Sequence, residues 1–321
     1  MKVIFYGTPD FAVDSLSAII GAGHEVLAVV TAPDRAAGRG RKLKQSPVKD
    51  FAISRGLKIL QPLNLKDSDF IQTITEMDPE MQIVVAFRMM PQVLWSIPQK
   101  GTINLHASLL PNYRGAAPIN HAIINGETES GLTTFYINEV IDTGDILFQD
   151  KVSIEEQDTF ETLHDRMKVI GANLLVSTIQ KIESGAVIRK SQSELLKADL
   201  EQEWRIAPKI NKEFCRIDWH QESAKVYDHI RGLSPYPSAY SILKNPDSST
   251  TNIKIYSSEK TEIEVGNQKP GTIQLLNKTN IGVACKDFFL NIKSLKPEGK
   301  NLMEAKDFIN GYNVDETYSM I

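Results

Sequence analysis

Two cysteines, Cys215 and Cys285, are all that the 321 residues contain, and they stand far apart outside any ligand-spaced cluster. So small a supply excludes a disulfide framework and a cysteine-ligated zinc site, and leaves both thiols as packing residues. Long apolar runs are missing too: no stretch reaches the roughly 18 residues needed to cross a bilayer. The opening Met1-Lys2-Val3-Ile4-Phe5-Tyr6 turns at Gly7 before a signal-like segment develops, so a cytoplasmic protein is expected. The first turn reads Gly7-Thr8-Pro9-Asp10-Phe11-Ala12, without G-x-G-x-x-G spacing, and no G-x-x-x-x-G-K-[ST] loop occurs. A nucleotide cofactor cradled by backbone amides is thereby disfavoured. Internal repeats and low-complexity tracts are also absent.

Basic excess is lacking as well, since 36 Lys and Arg face 40 Asp and Glu for a net charge of −4. The distribution is uneven. From Lys209 to Lys300 there are 14 basic against 10 acidic residues, so that stretch carries +4 and the remainder −8. Such an imbalance often marks only a solvated face, but it leaves room for a polyanionic partner. Asp34-Arg35-Ala36-Ala37-Gly38-Arg39-Gly40-Arg41-Lys42-Leu43-Lys44 concentrates basic groups on a glycine-rich loop. Guanidinium groups there suit phosphates or base stacking, although a solvated loop has the same composition.

What remains is an ordinary globular mixture, 41% hydrophobic and 24% charged, in a chain long enough for two domains. The first half alternates strands and helices. Strands are predicted at Lys2 to Tyr6, Glu25 to Thr31, Lys58 to Leu60, Gln82 to Ala86 and Thr102 to Leu105, the pattern of a parallel sheet covered on both faces. Thr8 and Pro9 read as the cap and first residue of a helix to about Ala22, and Ser46 and Pro47 repeat that start for one ending near Gly56. Leu163, Met167, Ile170 and Leu174 mark one long helix from Thr159 to about Gly185. The chain from Val187 to about Ala207 reads as a polar, irregular linker. Beyond Pro208, short β-prone runs at Ile253 to Tyr256, Gly271 to Leu275, Ile281 to Cys285 and Phe288 to Ile292 suggest a sandwich or a small barrel.

In Thr102-Ile103-Asn104-Leu105-His106 polar and apolar residues alternate, so Asn104 and His106 share one strand face about 7 Å apart. An uncharged amide offers two N–H donors to a developing oxyanion, and an imidazole takes up a proton near neutral pH. A structural pair would look the same on a strand. A carboxylate such as Asp142, in Asp142-Thr143-Gly144-Asp145, would complete a set able to move an acyl group onto an amine. The five other histidines, His24, His121, His164, His220 and His229, read as surface or helix-face residues, and no metal is required.

Gly7 to Ala12, the Arg39 loop, Val84 to Pro91, Asn104 to Pro118, Ile141 to Ile146 and Arg216-Ile217-Asp218-Trp219 run in the order found in methionyl-tRNA formyltransferases, a family the chain closely resembles. The resemblance implies a Rossmann-like, mostly parallel sheet with helices on both faces at residues 1–187, a linker at 188–207 and an OB-like barrel at 208–321. It implies 10-formyltetrahydrofolate as donor and the α-amino group of methionyl initiator tRNA as acceptor, in a monomer. Asn104, His106 and Asp142 fall on the family's catalytic trio. Ser108, Leu109, Leu110 and Pro111 fall on its folate-lining segment, with Phe87, Arg88 and Met89 beside the pterin. Phe87-Arg88-Met89-Met90 departs from the aliphatic, glycine-containing turn of the family. Arg35, Arg39, Arg41 and Lys42 fall on the insertion that grips tRNA. The rival within catalysis is a sugar-nucleotide N-formyltransferase using the same donor; outside it, a folate- or RNA-binding protein without turnover.

Overall fold

The structure is a computed structural model that describes residues 1–37, 42–198, 204–315 and 317–321. Val3, Ile4, Phe5 and Tyr6 are all fully buried although successive side chains of a strand point to opposite faces. A strand buried in this way needs cover on both sides. It is the fifth of seven in a sheet ordered Ile146–Ser153, Glu129–Tyr136, Thr102–His106, Met81–Val85, Lys2–Gly7, Glu25–Val30, Ile59–Leu60. Pairing is parallel from Thr102–His106 through to Ile59–Leu60, and Glu129–Tyr136 joins antiparallel. Phe70, Ile74 and Leu94 pack with Ile4 and Tyr6 on one face.

The long helix runs Phe160–Glu183 and meets the sheet closely at Gly171, where a Cβ would stand 2.9 Å from Leu105 and 3.2 Å from Leu132. Thr178 fixes its height by a 2.8 Å hydroxyl contact with Thr134. Since Leu105 alternates with its neighbours, the helix lies against the face opposite to Asn104 and His106. Ser46 caps the helix Pro47–Ser54 by accepting from the Lys49 amide at 3.1 Å. The first helix differs from expectation. It starts at Phe11 with Asp10 at the cap position, because Thr8 and Pro9 belong to a preceding turn in which the Ala12 amide donates to the Pro9 carbonyl. Asp10 is drawn outward to the Lys168 ammonium, 2.8 Å away, and caps nothing.

The chain divides into two compact units, one of Met1–Pro118, Ser130–Ser153 and His164–Ala207, the other of Ile119–Glu129, Ile154–Leu163 and Pro208–Ile321. In the second, strands are ordered Ile273–Leu275, Ile281–Ala284, Phe288–Pro297, Thr250–Glu264, Ala239–Lys244, Ser319–Met320. A bridge between Thr272 and Ser319 and a 2.8 Å bond from the Met320 amide to Gly271 O bring the two edges together, which makes this a barrel rather than a sandwich. Gly271 is obligatory there, with φ +84° and a hypothetical Cβ 2.0 Å from Met320 O. Ile217 and Trp219 lie in its core, Trp219 donating to Ser241 Oγ at 2.9 Å, so Arg216-Ile217-Asp218-Trp219 is a packing motif.

Cys215 and Cys285 are both buried. Burial pushes the Cys285 thiol up to about 12 and raises that of Cys215, which keeps both in the poorly nucleophilic thiol form. Titration of the folded protein with a thiol-disulfide reagent at pH 8 is expected to read close to zero, and two equivalents after denaturation. A full equivalent within minutes on the folded protein would contradict that burial. Among the described residues no helix is long and apolar enough to cross a membrane.

Candidate active site

The strand Thr102–His106 delivers its polar face to the carboxyl edge of the sheet, where clefts open in folds of this kind. Asn104 is half-buried opposite Val84 and Phe135, and His106, 7% exposed, stands opposite Thr133. Among the described residues nothing hydrogen-bonds the Asn104 amide, so both its N–H groups are available. Thr133 fixes the segment after the strand. Its hydroxyl donates to Ser108 O at 2.6 Å and accepts from the Leu110 amide at 3.1 Å, with Gln149 Nε2 at 2.9 Å.

Both ring nitrogens of His106 have an oxygen opposite. Nε2 lies 2.9 Å from Tyr113 O, and because a carbonyl only accepts, Nε2 carries the proton. Nδ1 then holds the lone pair of the neutral ring and faces Asp142 Oδ2 at 3.8 Å. The tautomer is thus set by a backbone carbonyl and not by the Asp142 carboxylate. A proton arriving at Nδ1 meets the carboxylate.

Asp142 has φ +55°, a left-handed conformation that aspartate tolerates better than most residues. Its Oδ2 accepts the Gly115 amide at 3.0 Å, and its loop closes through a 3.0 Å bond from the Tyr136 amide to Asp145 O. Gly144 passes so near Tyr136 that a Cβ would stand 1.6 Å from the Tyr136 carbonyl oxygen.

Three residues the sequence reading did not assign reach this site. Gln192 binds the carbonyls of Asp142 and Gly144, and Arg114 donates to Gln192. Arg205 accepts the Tyr113 amide at 2.7 Å on its own carbonyl. The stretch expected to be an irregular linker carries the helix Gln192–Ala198 and the strand Ile206–Ala207, which pairs in parallel with Arg114–Gly115. Arg114–Gly115 is therefore one side of a two-stranded ribbon. Polar composition suggested a linker, and a strand of two residues leaves no periodic signal to oppose it.

The other expected site residues are distributed as follows. Phe87 is half-buried with its ring edge-on to Tyr6 at 5.6 Å, and Met89 is 66% exposed. Arg88 spends its guanidinium on the carbonyls of Leu63 and Pro62. Met81–Val85 and Thr102–His106 are parallel neighbours, so residues 86–90 and 107–111 leave from the same edge. Ser108 is fully buried with its hydroxyl on Asn112 O, and Leu110 packs on Phe135 and Ile146. Pro111 is buried and Leu109 half-buried, so this segment offers a ligand mostly backbone. Arg35 is exposed and opens the strand Arg35–Ala37, which pairs antiparallel with Lys42–Lys44. Arg39 and Arg41 lie outside the described residues. Asp34 at the foot of the ribbon bonds Lys49 at 2.6 Å and Gln61 at 2.9 Å, and these bonds hold its carboxyl below the usual range. Of the histidines expected as surface or helix-face residues, His24 is buried, and His121 is buried on the helix Pro118–Ile124 with its imidazole on Pro208 O. Among the described residues no group of three His, Cys, Asp or Glu side chains could hold a metal ion.

The family model described as formyl transferase matches residues 1–179, and that described as formyl transferase, C-terminal domain, matches residues 209–313. The methionyl-tRNA formyltransferase of Bacteroides fragilis is 46% identical over 320 residues, covering 100% of this chain and 98% of its own. That of Flavobacterium johnsoniae is 43% identical over 311 residues, 97% of this chain and 96% of its own. Among solved structures, a sugar 3N-formyl transferase in the presence of dTDP and 5-N-formyl-THF superposes with a TM-score of 0.64 at 19% identity, covering 94% of this chain and 99% of its own. An N-formyltransferase from Helicobacter canadensis, in complex with folinic acid and dTDP-3-aminofucose, gives 0.64 at 21% identity over 91% and 98%. At such identities the likeness concerns the fold alone, whereas the full-length matches above 40% concern the family. The chain belongs to the formyl transferase family, among its methionyl-tRNA formyltransferases.

Proposed function

We propose that this protein transfers the formyl group of 10-formyltetrahydrofolate to the α-amino group of methionyl initiator tRNA, supplying formylated initiator for translation. It acts in the cytoplasm as a monomer, with residues 1–187 holding the folate and aminoacyl groups and residues 208–321 contributing to the tRNA surface. The observation that carries the chemistry is His106, whose Nε2 is committed to Tyr113 O while Nδ1 faces Asp142 Oδ2 at 3.8 Å. A ring held in this way has one nitrogen free to take a proton, backed by a carboxylate.

The donor supplies an activated one-carbon unit, and the residues supply direction. Asn104 turns its N–H groups toward the oxygen that becomes negative when the amine attacks the formyl carbon. His106 Nδ1 accepts the proton that the attacking nitrogen sheds, and Asp142 stabilises the imidazolium so formed. As the bond to the folate nitrogen breaks, that proton is available to the leaving group, so no net proton remains on the enzyme. Phe87, Arg88 and Met89 with Ser108 to Pro111 form the folate wall, the latter through backbone groups.

The test offers methionyl initiator tRNA, methionyl elongator tRNA and an amino-sugar nucleotide side by side with the same formyl donor. Formylation of the initiator above both others is expected. Transfer to the sugar alone would replace this reading by that of a sugar-nucleotide N-formyltransferase, and tight folate binding with no transfer to any amine would leave a binding protein.

Arg35, Arg39, Arg41 and Lys42 are the tRNA contacts, with Arg39 central. Replacing Arg39 with Ala is expected to lower kcat/KM for tRNA by about 10-fold or more, the worth of a charge-assisted phosphate contact, and to leave folate affinity unchanged. The salt dependence of tRNA binding should become shallower in the variant. An equal loss with a small free amine as acceptor would remove Arg39 from the tRNA surface.

A further inference from the structure

We infer that Gln192 is a positioning residue for formyl transfer: its amide suspends the loop that presents Asp142 to His106, and its effect on turnover passes through that carboxylate. The inference rests on the catalytic reading above and extends it to a residue 50 positions further along the chain.

Gln192 is 1% exposed at the start of the helix Gln192–Ala198. A buried primary amide must satisfy two N–H donors and its carbonyl oxygen. Here every one of them is used at the site. Nε2 donates to Asp142 O at 3.0 Å and to Gly144 O at 2.8 Å, and Oε1 accepts from Arg114 Nε at 3.1 Å and Nη2 at 2.6 Å. The opposite amide orientation would set an NH2 against a guanidinium and an oxygen against two carbonyls, so only one fits.

The two pieces that this amide joins are the two that hold the carboxylate. One is the loop bearing Asp142. The other is the strand Arg114–Gly115, whose Gly115 amide donates to Asp142 Oδ2 at 3.0 Å. Asp142 stands at φ +55°, a conformation that persists only where the surroundings over-determine it. The Gln192 bonds to the carbonyls of residues 142 and 144 supply that constraint. Gln192 touches neither ring nitrogen of His106, so it directs the carboxylate and does not itself move a proton.

The experiment is a double-mutant cycle measured by single-turnover formylation of methionyl-tRNA at saturating donor. Gln192→Met keeps the length of the side chain and removes all four bonds. It is expected to lower the rate by about 30-fold or more, the scale set by misplacing a reacting group by about 1 Å, while folate affinity stays within about 2-fold. In an Asp142→Asn background the same replacement should cost less than about 3-fold, because the carboxylate through which it acts has gone. Gln192→Glu keeps the acceptor for Arg114 but turns an oxygen towards both loop carbonyls, and it carries the cycle if the Met variant does not fold. Equal losses in the two backgrounds would make Gln192 general packing support and overturn the inference. Failure of both Gln192 variants to fold would do the same. A normal rate for Asp142→Asn alone would instead overturn the catalytic reading, and the inference with it.

Discussion

Replacing Asp142 with Asn is expected to lower the rate of formyl transfer by about 10³-fold, within the range of a lost general acid–base partner. The substitution is nearly isosteric, and an amide oxygen can still accept the Gly115 N–H that now reaches Oδ2 at 3.0 Å. What disappears is the negative charge 3.8 Å from His106 Nδ1. With Nε2 already bound to Tyr113 O, the ring cannot exchange its two nitrogens to compensate. An Asn side chain that turns its NH2 towards Nδ1 would go further and occupy the lone pair needed for the proton. Single-turnover formylation measures the effect, with donor affinity followed separately and expected to change by less than about 2-fold. A loss under about 10-fold in the folded variant would remove Asp142 from the proton path.

The second large effect is expected from a methyl group. Gly144→Ala sets a Cβ where only 1.6 Å separates it from Tyr136 O and 2.8 Å from Tyr136 C. Neither atom belongs to a flexible side chain. Tyr136 lies in the strand Glu129–Tyr136, whose Phe135 is paired with Asn104, so the strand cannot retreat without disturbing the site. The loop must move instead, breaking the Tyr136 amide bond to Asp145 O and the Gln192 bond to Gly144 O. Overpacking of this kind costs about 3 kcal/mol, to be read as a lower unfolding midpoint in denaturant, and turnover should fall by about 100-fold as Asp142 is displaced. Wild-type stability together with wild-type turnover would show that the loop is looser than its contacts imply.

The contrast between Asn104 and Gln192 explains which parts were legible from residues alone. Asn104 and His106 lie two apart on one strand, and strand periodicity puts them on a common face whatever the rest of the chain does. Ser46 before Pro47 is a local signal too, and the Ser46 hydroxyl accepts the Lys49 amide as such signals imply. Gln192 is 78 positions from Arg114, and only the folded chain brings the two amide and guanidinium ends together. Its neighbours are polar, and the pairing of Ile206–Ala207 with Arg114–Gly115 is too short to produce alternation. Thr8-Pro9 misled in the opposite sense: it is a strong local start signal, yet the helix begins at Phe11, and Asp10 at its cap position is held by Lys168. The closure of the barrel through Thr272 and Ser319 is another long-range event, which is why short strands alone left barrel and sandwich open.

The ribbon formed by Arg114–Gly115 and Ile206–Ala207 also bears on how freely halves of such enzymes could be exchanged. Ala207 O receives the amides of Ala116 and Ala117 at 2.7 and 3.2 Å, and a side chain on Gly115 would stand 2.4 Å from that same oxygen. A hybrid joined near residue 187 would inherit this strand, and Gln192 with it, from the foreign parent, leaving Asp142 braced by residues that never evolved beside it. A junction placed after Ala207 keeps both edges of the ribbon from one parent, and only there does a graft of the barrel leave the chemistry in native company.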